Sequence, residues 1–217
     1  MIDLDILVIL DRSGSMQDLK SDHEGGLKSF VEEQKTLAGD VRFTLVQFDS
    51  VNPCEIVYDR VPIADVGAIH LVPRGGTPLL DAMGKSLAHL ESRQILNPSA
   101  RTVVLVVTDG EENESKEWSK NQVAARVAEL EKKDNTFLYL GANVDAFHEA
   151  GQIGVGAAGA MAYAAQPASV ASAYASTSEN LMRARSMSAD ELSVKGFASA
   201  MAFTDQQRAE AHGGTGS

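Results

Sequence analysis

The chain has 217 residues, which is enough for one α/β domain with a sizeable core and slightly more than one such domain needs. Hydrophobic residues make up 44% of it, which excludes a disordered chain, and a formal net charge of −11 argues against non-specific binding to nucleic acid or to an anionic membrane. The lone Cys54 excludes an internal disulfide framework and is typical of a reducing compartment. The N-terminal segment has no secretory-signal pattern, so we expect a cytoplasmic protein.

Short apolar runs alternate with segments of helical periodicity along the chain. Strands are predicted at residues 5–10, 42–48, 55–58, 102–107, 136–140 and 160–164. Helical stripes are formed by Leu27, Phe30, Val31 and Leu37, by Leu80, Met83, Leu87 and Leu90, by Val123, Val127 and Leu130, and by Val170, Ala173, Tyr174, Thr177 and Leu181. The pattern predicts a doubly wound α/β fold: a mostly parallel sheet with one antiparallel edge strand, flanked by helices.

The most informative segment is Asp11-Arg12-Ser13-Gly14-Ser15, directly after the first strand. It places a carboxylate and two hydroxyl groups at alternate positions, and Gly14 lets the chain turn tightly so that the three oxygens converge. In parallel sheets ligands bind beyond the carboxyl ends of the strands, where Asp109 is also expected. Oxygen ligands with few charges suit a hard cation such as Mg²⁺.

This pattern resembles the von Willebrand factor A (VWA) family, whose metal-ion-dependent adhesion site (MIDAS) begins with Asp-x-Ser-x-Ser. The family's further ligands are a Thr from a later loop and an Asp after a buried strand, and the segments Gly75-Gly76-Thr77-Pro78 and Thr108-Asp109-Gly110 contain these residue types. The resemblance covers roughly residues 3–185 and implies that the chain belongs with the small stand-alone VWA proteins of bacteria and phages. The metal ligands that it implies are Asp11, Ser13, Ser15, Thr77 and Asp109, with Mg²⁺ as the ion and Mn²⁺ as an alternative.

Each of these residues also has a simpler interpretation when it is taken alone. Ser13 and Ser15 are common turn residues, Asp11 could be an N-cap, and Asp109 could only form a turn with the glycine that follows it. Thr77 occupies the N-cap position of a helix whose first residue would be Pro78. Because all five lie on the expected elements and in the family's order, they favour a metal site.

The resemblance implies a binding module and no enzymatic activity. Two carboxylates and three hydroxyl groups leave the cation incompletely coordinated, so that a Glu or Asp of a protein partner completes it. Such domains often act beside AAA+ ATPases or in assembly systems, so we expect an AAA+ ATPase or an assembly component as the partner, and neither nucleic acid nor a membrane. The chain would then be an intracellular adaptor or assembly factor.

Two other functions are compatible with the sequence. One is a scaffold or structural component of a bacterial or phage assembly. The other is a Mg²⁺-dependent phosphohydrolase with Asp11 as the nucleophile, which is disfavoured because Ser13 occupies the position where that chemistry needs a second carboxylate.

The composition changes near residue 186, so we predict a VWA domain over residues 1–185 and an Ala/Ser/Gly-rich extension over residues 186–217. Two capping signals, Ser188 with Glu191 and Thr204 with Gln207, predict short helices before a flexible end. The glycine pattern at residues 154–159 follows a predicted helix instead of a strand and is not expected to bind a nucleotide. The acidic residues Glu111, Glu112 and Glu114 are expected to form a solvated loop that leads to the next helix.

Overall fold

The computed structural model describes residues 3–94, 100–142, 145–188, 190–191 and 194–213. The strands are β1 (Leu4–Asp11), β2 (Val41–Phe48), β3 (Glu55–Pro62), β4 (Arg101–Thr108), β5 (Asn135–Ala142) and β6 (Ala160–Tyr163). The helices are α1 (Lys20–Lys35), α2 (Leu79–Gln94), α3 (Lys120–Glu131), α4 (Ala146–Gln152), α5 (Pro167–Arg185), α6 (Val194–Met201) and α7 (Asp205–Ala211). Within the described residues, none of the helices combines the length and apolar character needed to cross a membrane.

The strands form one six-stranded sheet in the order β3-β2-β1-β4-β5-β6. β3 is antiparallel to β2, and the other neighbouring pairs are parallel. The predicted doubly wound sheet with one antiparallel edge strand is therefore confirmed. The chain builds outward from β1 to β3 on one side and returns to add β4 on the other, so the strand order reverses between β1 and β4. Ligands bind at such a switch point, and it places the residues that follow β1 and β4 side by side.

Both faces of the sheet are covered, which explains why the strands are nearly continuous apolar runs. Ile6 and Val8 of β1 pack in one hydrophobic cluster with residues of α1 and α5. Leu7 and Ile9, which alternate with them, pack in a second cluster with residues of α2, α3 and α4. All four side chains are at most 2% exposed, so β1 is a rigid central support for the loop that follows it.

The edge strand β3 is longer than the sequence predicts. The prediction ends at Tyr58, where charged residues interrupt the apolar pattern, but the strand continues to Pro62 through a bulge. At the bulge Arg60 has a φ of 48°, and its N–H donates to Thr44 Oγ1 at 3.0 Å. The Arg60 guanidinium also pairs with the buried Asp5 of β1 at 3.1 Å, so the charged residue is bound within the fold.

The segment after residue 186 contains the two helices α6 and α7. The capping box of Thr204 and Gln207 begins α7, as the sequence predicts. Phe197 and Met201 of α6 are at most 1% exposed and lie in the same hydrophobic cluster as α1 and α5. The domain boundary at residue 185 stays a prediction, and a truncation described in the Discussion tests it.

Candidate metal centre

Asp11 is the last residue of β1 and is fully buried. Its Oδ1 accepts a hydrogen bond from the Ser13 backbone N–H at 2.6 Å, which is the tight turn that the motif predicts. Its Oδ2 accepts a hydrogen bond from the Thr108 hydroxyl at 2.6 Å, and Thr108 is the last residue of the neighbouring strand β4. The carboxylate is therefore held from two strands, and the contribution of Thr108 was not predicted.

The hydroxyl groups of the motif extend from Asp11 towards Asp109. Ser13 Oγ lies 3.0 Å from Ser15 Oγ, and the Ser15 hydroxyl donates to Asp109 Oδ1 at 2.7 Å. Ser13 and Asp109 are buried, whereas Ser15 is exposed. The group of oxygens is consequently open to solvent on the side of Ser15.

Thr77 reaches the same place from the loop before α2. Backbone hydrogen bonds tie this loop to the motif, because Gly14 N donates to Gly75 O at 3.0 Å. A Cβ built on Gly110 would lie 3.3 Å from Thr77 Oγ1 and 3.7 Å from Ser15 Oγ, so the two hydroxyl groups lie close to the same side of Gly110. The structure thus brings all five predicted residues to the carboxyl end of the sheet, at the switch point between β1 and β4.

The electrostatics of this group suit a cation. Burial raises the pKa of Asp11 to about 7, and burial also raises the pKa of Asp109. Within the described part of the chain neither carboxylate forms an ion pair. Two desolvated carboxylates surrounded by hydroxyl groups form a donor set that fits a hard divalent ion.

The described residues contain no cluster of three or more His, Cys, Asp or Glu side chains that could hold a metal ion. Any metal bound at this place would therefore depend on the hydroxyl groups of Ser13, Ser15 and Thr77 as well as on the two carboxylates. The motif predicts this mixture of hydroxyl and carboxylate ligands, which differs from the ligand sets of all-carboxylate sites and of histidine sites.

Arg12 lies between two candidate ligands in the sequence, but its side chain forms a separate ion-pair network. Its Nε donates to Asp49 Oδ2 at 2.5 Å, and its Nη2 lies 2.5 Å from Glu55 Oε2. Asp49 is fully buried and also accepts a hydrogen bond from Arg74 Nε at 3.1 Å. Arg12 thereby ties the end of β1 to the loop after β2, the start of β3 and the loop that carries Thr77. No sequence signal identifies these partners.

The loop after β4 holds the start of α2. The N–H of Thr77 donates to Asn113 Oδ1, and the N–H of Leu80 donates to Glu112 Oε2, both at 2.9 Å. The helix begins at Leu79, and its first N–H groups bind this loop in place of the expected cap by Thr77. Glu112, which we predicted to lie in a solvated loop leading to α3, instead contacts α2. The Thr77 hydroxyl is therefore not needed to cap α2 and can contribute to the candidate metal site.

Asp81 completes this connection from the side of the helix. Its carboxylate accepts hydrogen bonds of 2.8–2.9 Å from three successive backbone N–H groups, those of Lys116, Glu117 and Trp118. Burial alone would raise the pKa of Asp81, but these hydrogen bonds hold it below its ordinary value. The loops that carry Thr77 and Asp109 are therefore joined to each other independently of any ion.

His23 is buried behind the site and is not among the candidate ligands. Its Nδ1 lies 3.2 Å from the hydroxyl of Tyr174, and its Nε2 lies 3.3 Å from the hydroxyl of Tyr163. The Tyr163 hydroxyl in turn donates to the carbonyl oxygen of Thr108 at 3.3 Å. His23 is thus a packing residue, as the absence of ligand spacing predicts.

Neither the protein-family models nor the curated proteins contain a match to this chain. Solved structures do match. Proximal thread matrix protein 1 (PTMP1) of the mussel byssus aligns with a TM-score of 0.59 and 17% identity, covering 81% of this chain and 46% of that one. A von Willebrand factor type A protein of Catenulispora acidiphila aligns at 0.51 and 14% identity, covering 92% and 43%. The SpRpn10 VWA domain aligns at 0.54 and 10% identity, covering 77% and 89%.

These similarities show that the chain has the VWA fold. It spans less than half the length of the first two matched chains, 46% and 43%. A second structure of PTMP1, with a TM-score of 0.55, 16% identity and coverage of 75% and 41%, has a zinc-occupied MIDAS motif. In PTMP1, a protein with a similar fold, a MIDAS motif therefore holds a divalent metal.

Proposed function

We propose that this chain is a Mg²⁺-dependent protein-binding module of the VWA type, with a MIDAS formed by Asp11, Ser13, Ser15, Thr77 and Asp109. The main support is the convergence of these residues at one end of the sheet. Ser15 Oγ lies 3.0 Å from Ser13 Oγ and 2.7 Å from Asp109 Oδ1, and the hydroxyl groups of Thr77 and Ser15 lie close to the same side of Gly110. Mn²⁺ has the same preference for oxygen ligands and is the alternative ion.

The surroundings of the site support a role in binding. Asp11 is held by Thr108 and by the Ser13 N–H, so its carboxylate is positioned before any ion arrives. Ser15 is exposed, so a partner can approach from that side. When bound, the cation supplies a position that accepts a carboxylate oxygen from a Glu or Asp of a protein partner. A chain with a net charge of −11 would otherwise repel such a group.

We propose no catalytic activity for this site. A phosphohydrolase with Asp11 as the nucleophile needs an acid–base group nearby, and Ser13, at the corresponding position, is hydrogen-bonded to Ser15. The nearest guanidinium in the sequence, that of Arg12, is occupied by Asp49 and Glu55 and is not available to balance a phosphate charge. These contacts favour a binding module over the enzyme.

The biological setting is proposed from the resemblance. The chain would be an intracellular adaptor or assembly factor of a bacterium or phage, in the cytoplasm, with an AAA+ ATPase or an assembly component as its partner. A self-contained VWA unit is supported by the match that spans 89% of the SpRpn10 VWA domain and 77% of this chain. A scaffold or structural role is the second candidate, because PTMP1, a thread matrix protein, has a similar fold.

Metal binding can be measured directly with Mn²⁺ as a paramagnetic probe and Mg²⁺ as its competitor. We expect one site, with competition by Mg²⁺ and weaker competition by Ca²⁺, which prefers longer bonds and more ligands. Asp11→Asn and Ser15→Ala should each weaken binding by at least about tenfold, because the first removes a negative charge from the site and the second removes a hydroxyl ligand. Val57→Ser, on the edge strand β3, is a control that should bind as the unchanged chain does. Equal binding by all four proteins would disprove the site.

A further inference from the structure

The backbone of the loop that carries Thr77 is hydrogen-bonded at four successive residues, from Arg74 to Thr77. Two of these bonds join it to the metal-binding motif. The Arg74 N–H donates to the carbonyl oxygen of Arg12 at 2.9 Å, and the carbonyl oxygen of Gly75 accepts a hydrogen bond from Gly14 N at 3.0 Å. The loop before α2 is therefore fixed against the loop that follows β1.

The next residue, Gly76, is bound through both of its backbone groups to Ser50 in the loop after β2. Ser50 N donates to the Gly76 carbonyl oxygen at 3.1 Å, and Gly76 N donates to Ser50 Oγ at 2.9 Å. A Cβ on Gly76 would lie 2.6 Å from Glu114 Cγ and 2.9 Å from Asn113 Oδ1. The missing side chain of Gly76 thus lets the loop after β4 approach the backbone directly before Thr77.

Thr77 is itself bound through both backbone groups to a single residue, Asn113, in the loop after β4. The Thr77 N–H donates to Asn113 Oδ1 at 2.9 Å, and the Asn113 N–H donates to the Thr77 carbonyl oxygen at 3.1 Å. Two hydrogen bonds to one residue restrain both the position and the rotation of the Thr77 backbone. Because Asn113 follows Asp109 by four residues, one loop contributes a candidate ligand and holds another in place.

The separations between candidate ligands suit a small cation. Neighbouring ligands of an octahedron are separated by about 1.4 times the metal–oxygen distance, which is about 2.8–3.0 Å for Mg²⁺ and about 3.3–3.7 Å for Ca²⁺. Ser15 Oγ lies 3.0 Å from Ser13 Oγ and 2.7 Å from Asp109 Oδ1. An octahedral Ca²⁺ site would require these oxygens to move apart, and a loop that is held in place resists such a movement.

We propose that Asn113 is a positioning residue that determines the selectivity of the site for Mg²⁺ over Ca²⁺. It acts through Thr77, by preventing the loop before α2 from moving outward to accommodate the larger ion. This inference rests on the proposed function, in which Thr77 is a ligand of the metal. Asn113 is exposed, so its side chain can be removed without a cavity in the core, and the consequences of its removal are transmitted by Thr77.

Affinities for Mg²⁺ and Ca²⁺, each measured on the full chain by competition with Mn²⁺, test this role. Asn113→Ala should weaken Mg²⁺ binding by about tenfold, as expected when a residue that orients a ligand is lost. It should weaken Ca²⁺ binding by no more than about twofold, because a looser site suits the larger ion. Asn113→Asp retains an oxygen that accepts the Thr77 N–H and should retain the ratio of the two affinities, although its charge strengthens the binding of both ions.

Hydrogen exchange of the Thr77 amide, followed by NMR in EDTA, measures the restraint without any metal. Exchange should be at least about tenfold faster in Asn113→Ala than in the unchanged chain, because the amide loses its acceptor. Asn52→Ala is the matched control, since it removes a bond of the same kind, from Cys54 N to Asn52 Oδ1 at 3.2 Å. It should change neither the exchange of the Thr77 amide nor the ratio of affinities.

The outcomes separate this role from the proposed function. Equal losses of Mg²⁺ and Ca²⁺ affinity in Asn113→Ala, or a ratio that Asn113→Asp fails to retain, would overturn the positioning role and leave the metal site intact. Unchanged exchange of the Thr77 amide in Asn113→Ala would overturn it as well. Absence of Mg²⁺ binding by the unchanged chain would instead overturn the proposed function.

Discussion

Arg12 stands at the variable position of the metal motif, yet its importance comes from contacts made away from the ligands. Its side chain is 6% exposed and its partner Asp49 is fully buried. Removal of one member of a buried ion pair leaves an uncompensated charge in the interior, at a cost of roughly 3–5 kcal/mol. The motif allows any residue at this position, but the buried Asp49 of this fold requires a positive charge there.

We expect Arg12→Met to lower the free energy of unfolding by about 3 kcal/mol, measured by urea denaturation in EDTA so that metal makes no contribution. Arg74→Met is the matched control, because Arg74 contacts the same carboxylate with a half-exposed side chain. It should cost no more than about 1 kcal/mol. Equal losses of stability in the two variants would contradict the prediction that the buried Arg12 contributes more to the ion pair with Asp49 than Arg74 does.

His23 makes stability depend on pH. Burial lowers the pKa of His23 from 6.5 to about 4. The unfolded chain therefore binds one more proton than the folded chain between these values, and the stability that the neutral imidazole contributes above pH 6.5 is lost as the pH falls towards 4. Tyr163 and Tyr174, its hydrogen-bond partners, keep their protons in this range because burial raises the pKa of each.

The comparison with His23→Gln isolates this effect. At pH 7 the variant should be less stable, because it loses packing and the two hydrogen bonds to tyrosine. As the pH falls from 7 to 4, the difference in free energy of unfolding between the two proteins should narrow by about 3 kcal/mol. Urea denaturation at several pH values, in EDTA, measures it. A difference that is independent of pH would contradict a neutral buried His23.

At the level of elements, the connection between α2 and the loop after β4 aligns two of the candidate ligands. Asp81→Asn retains the size of the side chain but places an NH2 group against backbone N–H donors. We expect a loss of about 3 kcal/mol in the free energy of unfolding, since hydrogen bonds to a buried carboxylate are lost. Glu117→Gln, on the exposed surface of the same loop, should change stability by less than about 0.5 kcal/mol. Similar results for both variants would mean that the connection contributes little.

The helices after residue 186 provide a second test at this scale. Phe197, Met201 and Phe203 are at most 4% exposed, and burial of each such side chain contributes about 2 kcal/mol. Asn180 of α5 also donates to the carbonyl oxygens of Met201 and Ala202. We propose that α6 and α7 fold with the VWA unit, so that residues 1–185 alone should be at least about 5 kcal/mol less stable or fail to unfold cooperatively.

A chain that ends at Gly213 is the control for this truncation and should unfold as the full chain does, measured by thermal and urea denaturation. If residues 1–185 retain full stability, the boundary predicted from composition is correct and the extension is an independent appendage. The composition alone gave no reason to place Phe197 and Met201 in the core, because a short Ala/Ser/Gly-rich segment resembles a linker.

Local patterns were sufficient to predict most of the elements. β1, expected at residues 5–10, spans Leu4–Asp11, because a strand buried on both faces is an unbroken apolar run. The five candidate ligands came from the resemblance to the VWA family, and their role in metal binding stays a prediction. Contacts between distant residues were not predictable: Arg12 and Asp49 are 37 residues apart, and Asp81 is bound by backbone N–H groups 35–37 residues away. Every residue except proline has a backbone N–H group, so the residue type does not show which of these groups binds Asp81.

At the scale of the whole molecule, the sheet brings two carboxylates together at the carboxyl ends of β1 and β4. Asp11 and Asp109 lie at neighbouring strand ends, and the chain as a whole carries a net charge of −11. Binding of one divalent cation would reduce the local repulsion and would stabilise only the folded state, which brings the five residues together. Metal binding and folding should therefore be linked.

The most direct test is the thermal unfolding of the full chain in millimolar Mg²⁺ and in EDTA. A hundredfold excess of ion over Kd stabilises the folded state by about 2.7 kcal/mol, which corresponds to a rise in Tm of roughly 5–10 °C for a chain of this size. Asp11→Asn should unfold at the same Tm in both solutions. Asp5→Asn, the same change at a buried residue near the other end of β1, should retain the full difference between them. A Tm in the unchanged chain that does not respond to Mg²⁺, or an equal response in Asp11→Asn, would contradict the metal centre.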